Sequence, residues 1–168
     1  MRTGTLPSVL EVGANQSVRV NTGATAWEAF TPSAGGGLGY AIQFECPNQA
    51  TTTDSQTVYW GSKNLAQQTV TKIHRIYIPK AGIIKTCYIH ANSGTAGSAE
   101  NWSMYIRLND TTDTLIQTVA LSNADRVWSK VDLNIAVVAG DYIEIKEVQP
   151  AWATNPANVR RSGIIYIE

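Results

Sequence analysis

Two histidines and two cysteines are the side chains of this chain best suited to hold a metal or attack a substrate: His74, His90, Cys46 and Cys87. A zinc site gathers such ligands at short, regular spacings. No Cys or carboxylate stands at ligand spacing beside either histidine, so both read as strand histidines at a surface or an interface. Neither cysteine lies in a reactive motif, and no G-x-S-x-G nucleophile elbow occurs. "SAGGGLG" (33–39) is glycine-rich but lacks the Lys and the following helix of a phosphate loop, so it reads as a flexible joint. "NDTTD" (109–113) offers calcium-type oxygens, and a polar hairpin turn explains it equally. Sugar hydrolysis needs two convergent carboxylates. Glu144 and Glu147, the nearest candidates, face opposite sides of a strand over 142–148. No catalytic residue, metal ligand or cofactor is assigned, and a non-enzymatic protein is expected.

Aromatic side chains are the remaining chemistry. Trp128 and Tyr105 fall on strand faces that read as outward. A subunit interface, where such residues are enriched, is preferred for them over a sugar-stacking platform. Trp152 stands between Pro150 and Pro156 in "QPAWATNPAN" (149–158), and "ANSGTAGSAEN" (91–101) is a second long loop. Loops on a rigid scaffold often carry binding. Trp128, Tyr105 and Trp152 are therefore the candidate contacts for a receptor or partner, with Trp152 as a cap on the end of the fold as the alternative.

Composition bounds what can surround these residues. The 168 residues suit one core-bearing domain, and charged residues are only 15%, below the usual share of about 25%. Acids and bases balance at 13 each, which argues against electrostatic capture of nucleic acid or an anionic membrane. Low charge also leaves little to oppose self-association. No run approaches the length of a membrane span, and the N-terminus has no apolar signal-peptide region. Folding in a reducing cytoplasm is expected, with Cys46 and Cys87 as buried free thiols and a single disulfide as the alternative.

The elements that must position the candidates are strands. Residues 1–39 are rich in small and polar types around a few bulky ones, and read as an extended arm with a Gly-rich hinge. From Tyr40 onward, β-branched and aromatic runs alternate with turn clusters. Strands are expected over 40–46, 71–78, 82–91, 102–109, 114–121, 127–137, 142–148 and 159–167, with "PNQATTTDSQ" as a polar tract and "SKNLAQQTV" (62–70) as a weak helical candidate. In 102–109, Trp102, Met104, Ile106 and Leu108 face inward. In 71–78, Ile73 lies on one face, Ile76 and Ile78 on the other. In 127–137, Val127, Ser129, Val131, Leu133, Ile135 and Val137 share the inner face, with Val131, Leu133 and Ile135 at the centre of the core. About eight strands at this spacing make an antiparallel sandwich or barrel. The expected fold is all-β, a jelly-roll-like β-sandwich head (40–168) with an extended N-terminal arm (1–39).

"LEVGANQSVRVNTGATAWEAFTP", from Leu10 to Pro32, resembles a stem segment of tailed-phage fibre and capsid-decoration (head-fibre) proteins. The likeness runs through Gly13-Ala14-Asn15, Val18, Val20-Asn21, Gly23 and Ala26-Trp27, with Gln16-Ser17 where the family usually has Gly. "PKAGII" (79–84) and "AGDYIEI" (139–145) are similar to strand entries in the β-sandwich heads of such fibres. The resemblance implies a virion structural protein, a decoration, head-fibre or tail-fibre component on the particle surface, made in the host bacterial cytoplasm. It implies a homotrimer whose arm buries Val18, Val20, Trp27 and Phe30 between copies and attaches to capsid or tail proteins. A receptor- or carbohydrate-binding tip, with a host surface glycan as partner, is the alternative reading. Nucleic-acid binding and membrane insertion are not expected.

Overall fold

The computed structural model describes residues 17–20, 27–30, 38–62, 65–95, 97–98, 100–121 and 125–168. The chain divides into two compact units, Met1–Leu38 and Gly39–Glu168. In the first unit, β1 (Ser17–Val20) pairs antiparallel with β2 (Trp27–Phe30), so that Val18 lies opposite Ala29 and Val20 opposite Trp27. The packing expected of the Val18, Val20, Trp27 and Phe30 side chains, and the glycine hinge at 35–37, lie outside the described residues.

The second unit contains β3 (Tyr40–Thr51), β4 (Thr57–Trp60), β5 (Ile76–Tyr77), β6 (Gly82–Asn92), β7 (Glu100–Leu108), β8 (Thr112–Leu121), β9 (Asp125–Lys130), β10 (Ile135–Val137), β11 (Tyr142–Val148) and β12 (Ala157–Ile167). One sheet runs β10-β6-β12-β3, with β9 also on β6, and the other runs β4-β11-β7-β8, with β5 also on β11. Both β9 and β10 lie along one edge of β6, and both β4 and β5 along one edge of β11. Each pair is thus one interrupted edge strand, giving two four-stranded antiparallel layers. Only the β7–β8 hairpin stays within a layer; every other connection between layers' strands crosses over. The first and last strands, β3 and β12, end as neighbours. This is jelly-roll connectivity, in which two Greek keys fold one ribbon into two sheets. No described residue is helical, and 65–70 is irregular.

The core between the sheets holds Phe44, Trp60, Ile84, Ile89, Met104, Ile106, Ile143, Ile145 and Ile165, all almost completely buried. The alternation expected in β7 holds: Trp102, Met104 and Ile106 are buried, while Ser103, Tyr105 and Arg107 face out. The turn into β11 follows from its sequence. Asp141 N donates to Val138 O at 3.1 Å, the Asp141 carboxylate accepts from Val138 N at 2.8 Å, and Gly140 takes φ 93°, a position that favours glycine.

The run 127–137 corrects the expected register. It is not one strand, because Asp132 and Asn134 adopt left-handed backbone (φ 55° and 54°) between β9 and β10. Trp128 is fully buried, whereas Val127 and Val131 are more than half exposed and Ser129 is exposed. Burying the indole removes more apolar area than burying valine, and its N–H finds a carbonyl. Of the three residues placed at the centre of the core, Leu133 and Ile135 pack at its margin and Val131 does not enter it.

Two other stretches differ from expectation. The polar tract after Cys46 continues β3 as far as Thr51. Pro47 is tolerated there because β3 is an edge strand, and the register against β12 shifts between Val159 and Arg161. In 71–78 only Ile76 and Tyr77 form a strand, and Ile73 is about half exposed. The preceding residues are held by the Glu144 carboxylate instead of a ladder.

Candidate functional site

The chemistry-bearing residues collect in four places in the second unit. The first is a polar cluster between the sheets. Glu147 on β11 and Arg161 on β12 have fully buried side chains, with Nε 2.7 Å from Oε2. That N–H is not aimed at the oxygen, and the directed bond is from Arg161 Nη2 to Oε1 at 2.7 Å. Glu147 also accepts from Trp60 Nε1 (3.0 Å) and Gln149 Nε2 (2.6 Å), and Arg161 reaches Gln49 Oε1 at 3.0 Å. A buried carboxylate keeps its charge only when paired and bonded in this way. Cys46 and Cys87 are free and buried, and burial raises both thiols above their ordinary range.

The second place is the opposite face of β11. Glu144 Oε1 accepts from Lys72 N (2.9 Å) and His74 N (3.0 Å), drawing 72–74 onto the sheet with Lys72 at φ 81°. His74 is fully buried in this turn segment, not a strand histidine at a surface or interface, which corrects that expectation. Its Nε2 donates to Ala66 O at 2.9 Å, which leaves Nδ1 buried and without a partner among the described residues. Glu144 and Glu147 therefore face opposite sides of one strand, each with its own partners. Burial lowers the His74 pKa and raises that of Glu144, against the partial opposing effect of the backbone hydrogen bonds.

The signs of these shifts give a testable pH dependence. His74 has a folded pKa below its unfolded value of about 6.5, so its contribution is present above that value and is lost as pH falls through the folded pKa. Glu144 has a raised folded pKa, so its contribution is present in acid and is lost as pH rises through it. The two oppose each other; the Asp110 charge adds to the rise at Glu144 and the Arg75 charge works against it. Thermal melting across about pH 4 to 8 should show His74→Gln losing less stability than the parent on acidification. Glu144→Gln should lose less on the alkaline side. Parallel curves for all three proteins would contradict the assignment.

The third place is the outer face of β11 and β7. Tyr105 is half-buried there, with Lys146 Nζ 5.3 Å from its ring centre. Arg107 lies 5.6 Å from the Tyr59 ring, and both cations pair with Asp113 at 2.7 and 2.6 Å. Arg75 stacks 4.1 Å from the Tyr142 ring and pairs with Asp110 at 2.8 Å. Asp110 and Asp113, the acids of "NDTTD", thus have cation partners. These rings are already covered by cations. Trp128 and Trp152, the other two expected contacts, are not with Tyr105. Both stack edge-to-face on Trp102, at 4.9 and 5.5 Å. Trp128 Nε1 donates to Trp102 O at 2.9 Å, so the outward reading of Trp128 is corrected: no surface of it is available to a receptor. Trp152 is 6% exposed, held by Asp54 through its backbone N–H (3.2 Å), and its burial fits the cap at the end of the sandwich. Among the described residues no cluster of three or more His, Cys, Asp and Glu could hold a metal.

The fourth place is the outer face of the other sheet, which sequence reasoning missed. Register places Glu45, Ser162, His90 and Val127 in one row across β3, β12, β6 and β9. Gln43, Ile164, Tyr88 and Ser129 form the next row. Two adjoining cavities of about 490 and 500 Å³ lie over these rows and share Glu45, His90 and Ser162. His90 is exposed and pairs with Asp125. The only sequence signal for this face is that Gln43 and Glu45 alternate with the inward Phe44 and Cys46.

The fold and its sites define a jelly-roll β-sandwich domain preceded by a separate N-terminal unit. No known protein family matches the chain, and no curated protein does. Among solved structures it is similar to FLHE ("Crystal Structure of FLHE"), at 10% identity over 77% of this chain and 96% of that one, with a TM-score of 0.42. A likeness this slight carries no functional argument.

Proposed function

We propose that the chain is a non-enzymatic virion structural protein of a tailed phage, a capsid-decoration, head-fibre or tail-fibre component displayed on the particle surface. Residues 1–39 attach it and join three copies; residues 40–168 are the displayed head. The observation that carries this reading is the division of the chain. The stem-like sequence falls in one unit, Met1–Leu38, and the core cluster among the described residues lies between Tyr40 and Ile167, in the other. Jelly rolls occur in viral capsid and lectin domains alike, so the fold agrees with this role without selecting it. The alternative, a receptor- or carbohydrate-binding tip, is favoured by the trough on the outer sheet face.

Electron cryomicroscopy of purified particles of the encoding phage tests the proposal. Density for three jelly-roll heads at each attachment point is expected. Absence of the chain from particles, by mass spectrometry of the same preparation, rejects it.

A further inference from the structure

We infer that the trough over Ser162 is a binding site for a neutral oligosaccharide. The inference concerns the head alone and holds or fails independently of attachment to a particle. Shape is the first observation. Ser162, a small side chain, lies between Glu45 and His90 on the middle strand of the face. The two cavities that meet above it measure about 490 and 500 Å³, within the range of about 300–1,000 Å³ typical of small-molecule sites. The floor is rigid. A Cβ on Gly163 would stand 2.3 Å from the Phe44 ring and 2.7 Å from Tyr88 O, so only glycine lets these strands and that ring approach so closely.

Chemistry is the second observation. At one end, Tyr88 is 46% exposed and Ile164 is 36% exposed. Unlike Tyr59, Tyr105 and Tyr142, whose rings are covered by cations, Tyr88 has no ring or cation partner among the described residues. An open ring of this kind takes the C–H face of a pyranose. At the other end stand the Asn92 carboxamide and the Arg160 guanidinium, and the Glu45 carboxylate stands beside Ser162 between the two ends. Planar groups such as these bind adjacent hydroxyls with paired hydrogen bonds. One apolar platform beside a fringe of planar polar groups matches a sugar, which has one face of each kind.

Charge and backbone select among ligands. Glu45 and Arg160 have opposite signs, and His90 is paired with Asp125. The trough therefore has no excess of positive charge to draw a polyanion. An added peptide strand needs a free sheet edge, but β12 is paired on both sides, to β3 and β6. The flat sheet face of a second copy would span the trough and bury Glu45 and Arg160 without filling it, at the desolvation cost of uncompensated charges.

The test is an array of neutral oligosaccharides built from glucose, galactose, mannose, rhamnose and N-acetylhexosamines, with sialylated and uronate-bearing ones alongside, probed with the full chain. Neutral oligosaccharides that bind are then titrated into ¹⁵N-labelled chain, where the amides of Tyr88, Asn92 and Ser162 should shift. Tyr88→Ala should weaken binding by about tenfold, the loss of one stacking platform, and Ser162→Trp should abolish it by filling the trough. Both variants should melt as the parent does. Where Ser162→Trp fails to fold, Glu45→Gln serves, and weaker binding with unchanged melting is expected. Four outcomes overturn the inference: no neutral sugar binds, only acidic ones bind, the shifts map elsewhere, or the folded variants bind as the parent does.

Discussion

Replacing Glu147 by alanine is expected to destabilise the jelly roll by about 3–5 kcal/mol, the usual cost of leaving a buried charge without its partner. The side chains of Glu147 and Arg161 are both 0% exposed, and they come from opposite sheets. Removing the carboxylate strands the Arg161 guanidinium, whose Nη1 already has no partner among the described residues. It also leaves the Trp60 indole N–H and one Gln149 amide N–H without their acceptor. The Trp102 ring centre lies 5.4 Å from the Arg161 guanidinium carbon. The double replacement Glu147→Leu, Arg161→Met should recover most of the loss, since well-packed apolar groups often equal or exceed a buried pair. Urea unfolding of the three proteins measures this. A single-variant loss below about 1 kcal/mol would mean that water reaches the pair and that the sheets are not pinned there.

The strands around that pin show how far sequence alone could reach. Alternation identified β7 and its inward face, because Trp102, Met104 and Ile106 are large and their neighbours polar. The same rule failed in 127–137. Two residues in left-handed backbone, Asp132 and Asn134, break the strand, and the inward position goes to the largest ring. It failed in 71–78 because Glu144, seventy residues away, holds the backbone N–H groups of Lys72 and His74. No local pattern reports a competitor so distant in sequence. The strand count gave a sandwich or a barrel. Jelly-roll connectivity needed the pairing of β3 with β12, which depends on register between the two ends of the head.

Site residues were less legible than the fold. Tryptophans drew attention as contacts, yet Trp128 and Trp152 are in the core and Tyr105 is covered by Lys146. Glu45, His90 and Ser162 are far apart in the chain and ordinary in their local sequence. Only the pairing of β12 with strands on both sides sets them in one row. Binding faces on a sheet are assembled across strands, whereas a motif search looks along one.

Loss of particle attachment on deleting residues 1–39 is the second large effect expected. Among the described residues the core cluster of the head runs from Tyr40 to Ile167, and a chain of 40–168 is expected to fold and keep the unfolding midpoint of the head. It lacks Val18, Val20, Trp27 and Phe30, the bulky residues proposed to be buried between copies and against the particle. Each such side chain contributes about 1.5–3 kcal/mol when fully buried, and three copies multiply that contribution. Co-sedimentation with particles stripped of the protein compares the two forms directly. The account predicts that the full chain rebinds as a trimer, while 40–168 stays folded, monomeric and in the supernatant. Rebinding of 40–168 at the occupancy of the full chain would contradict it.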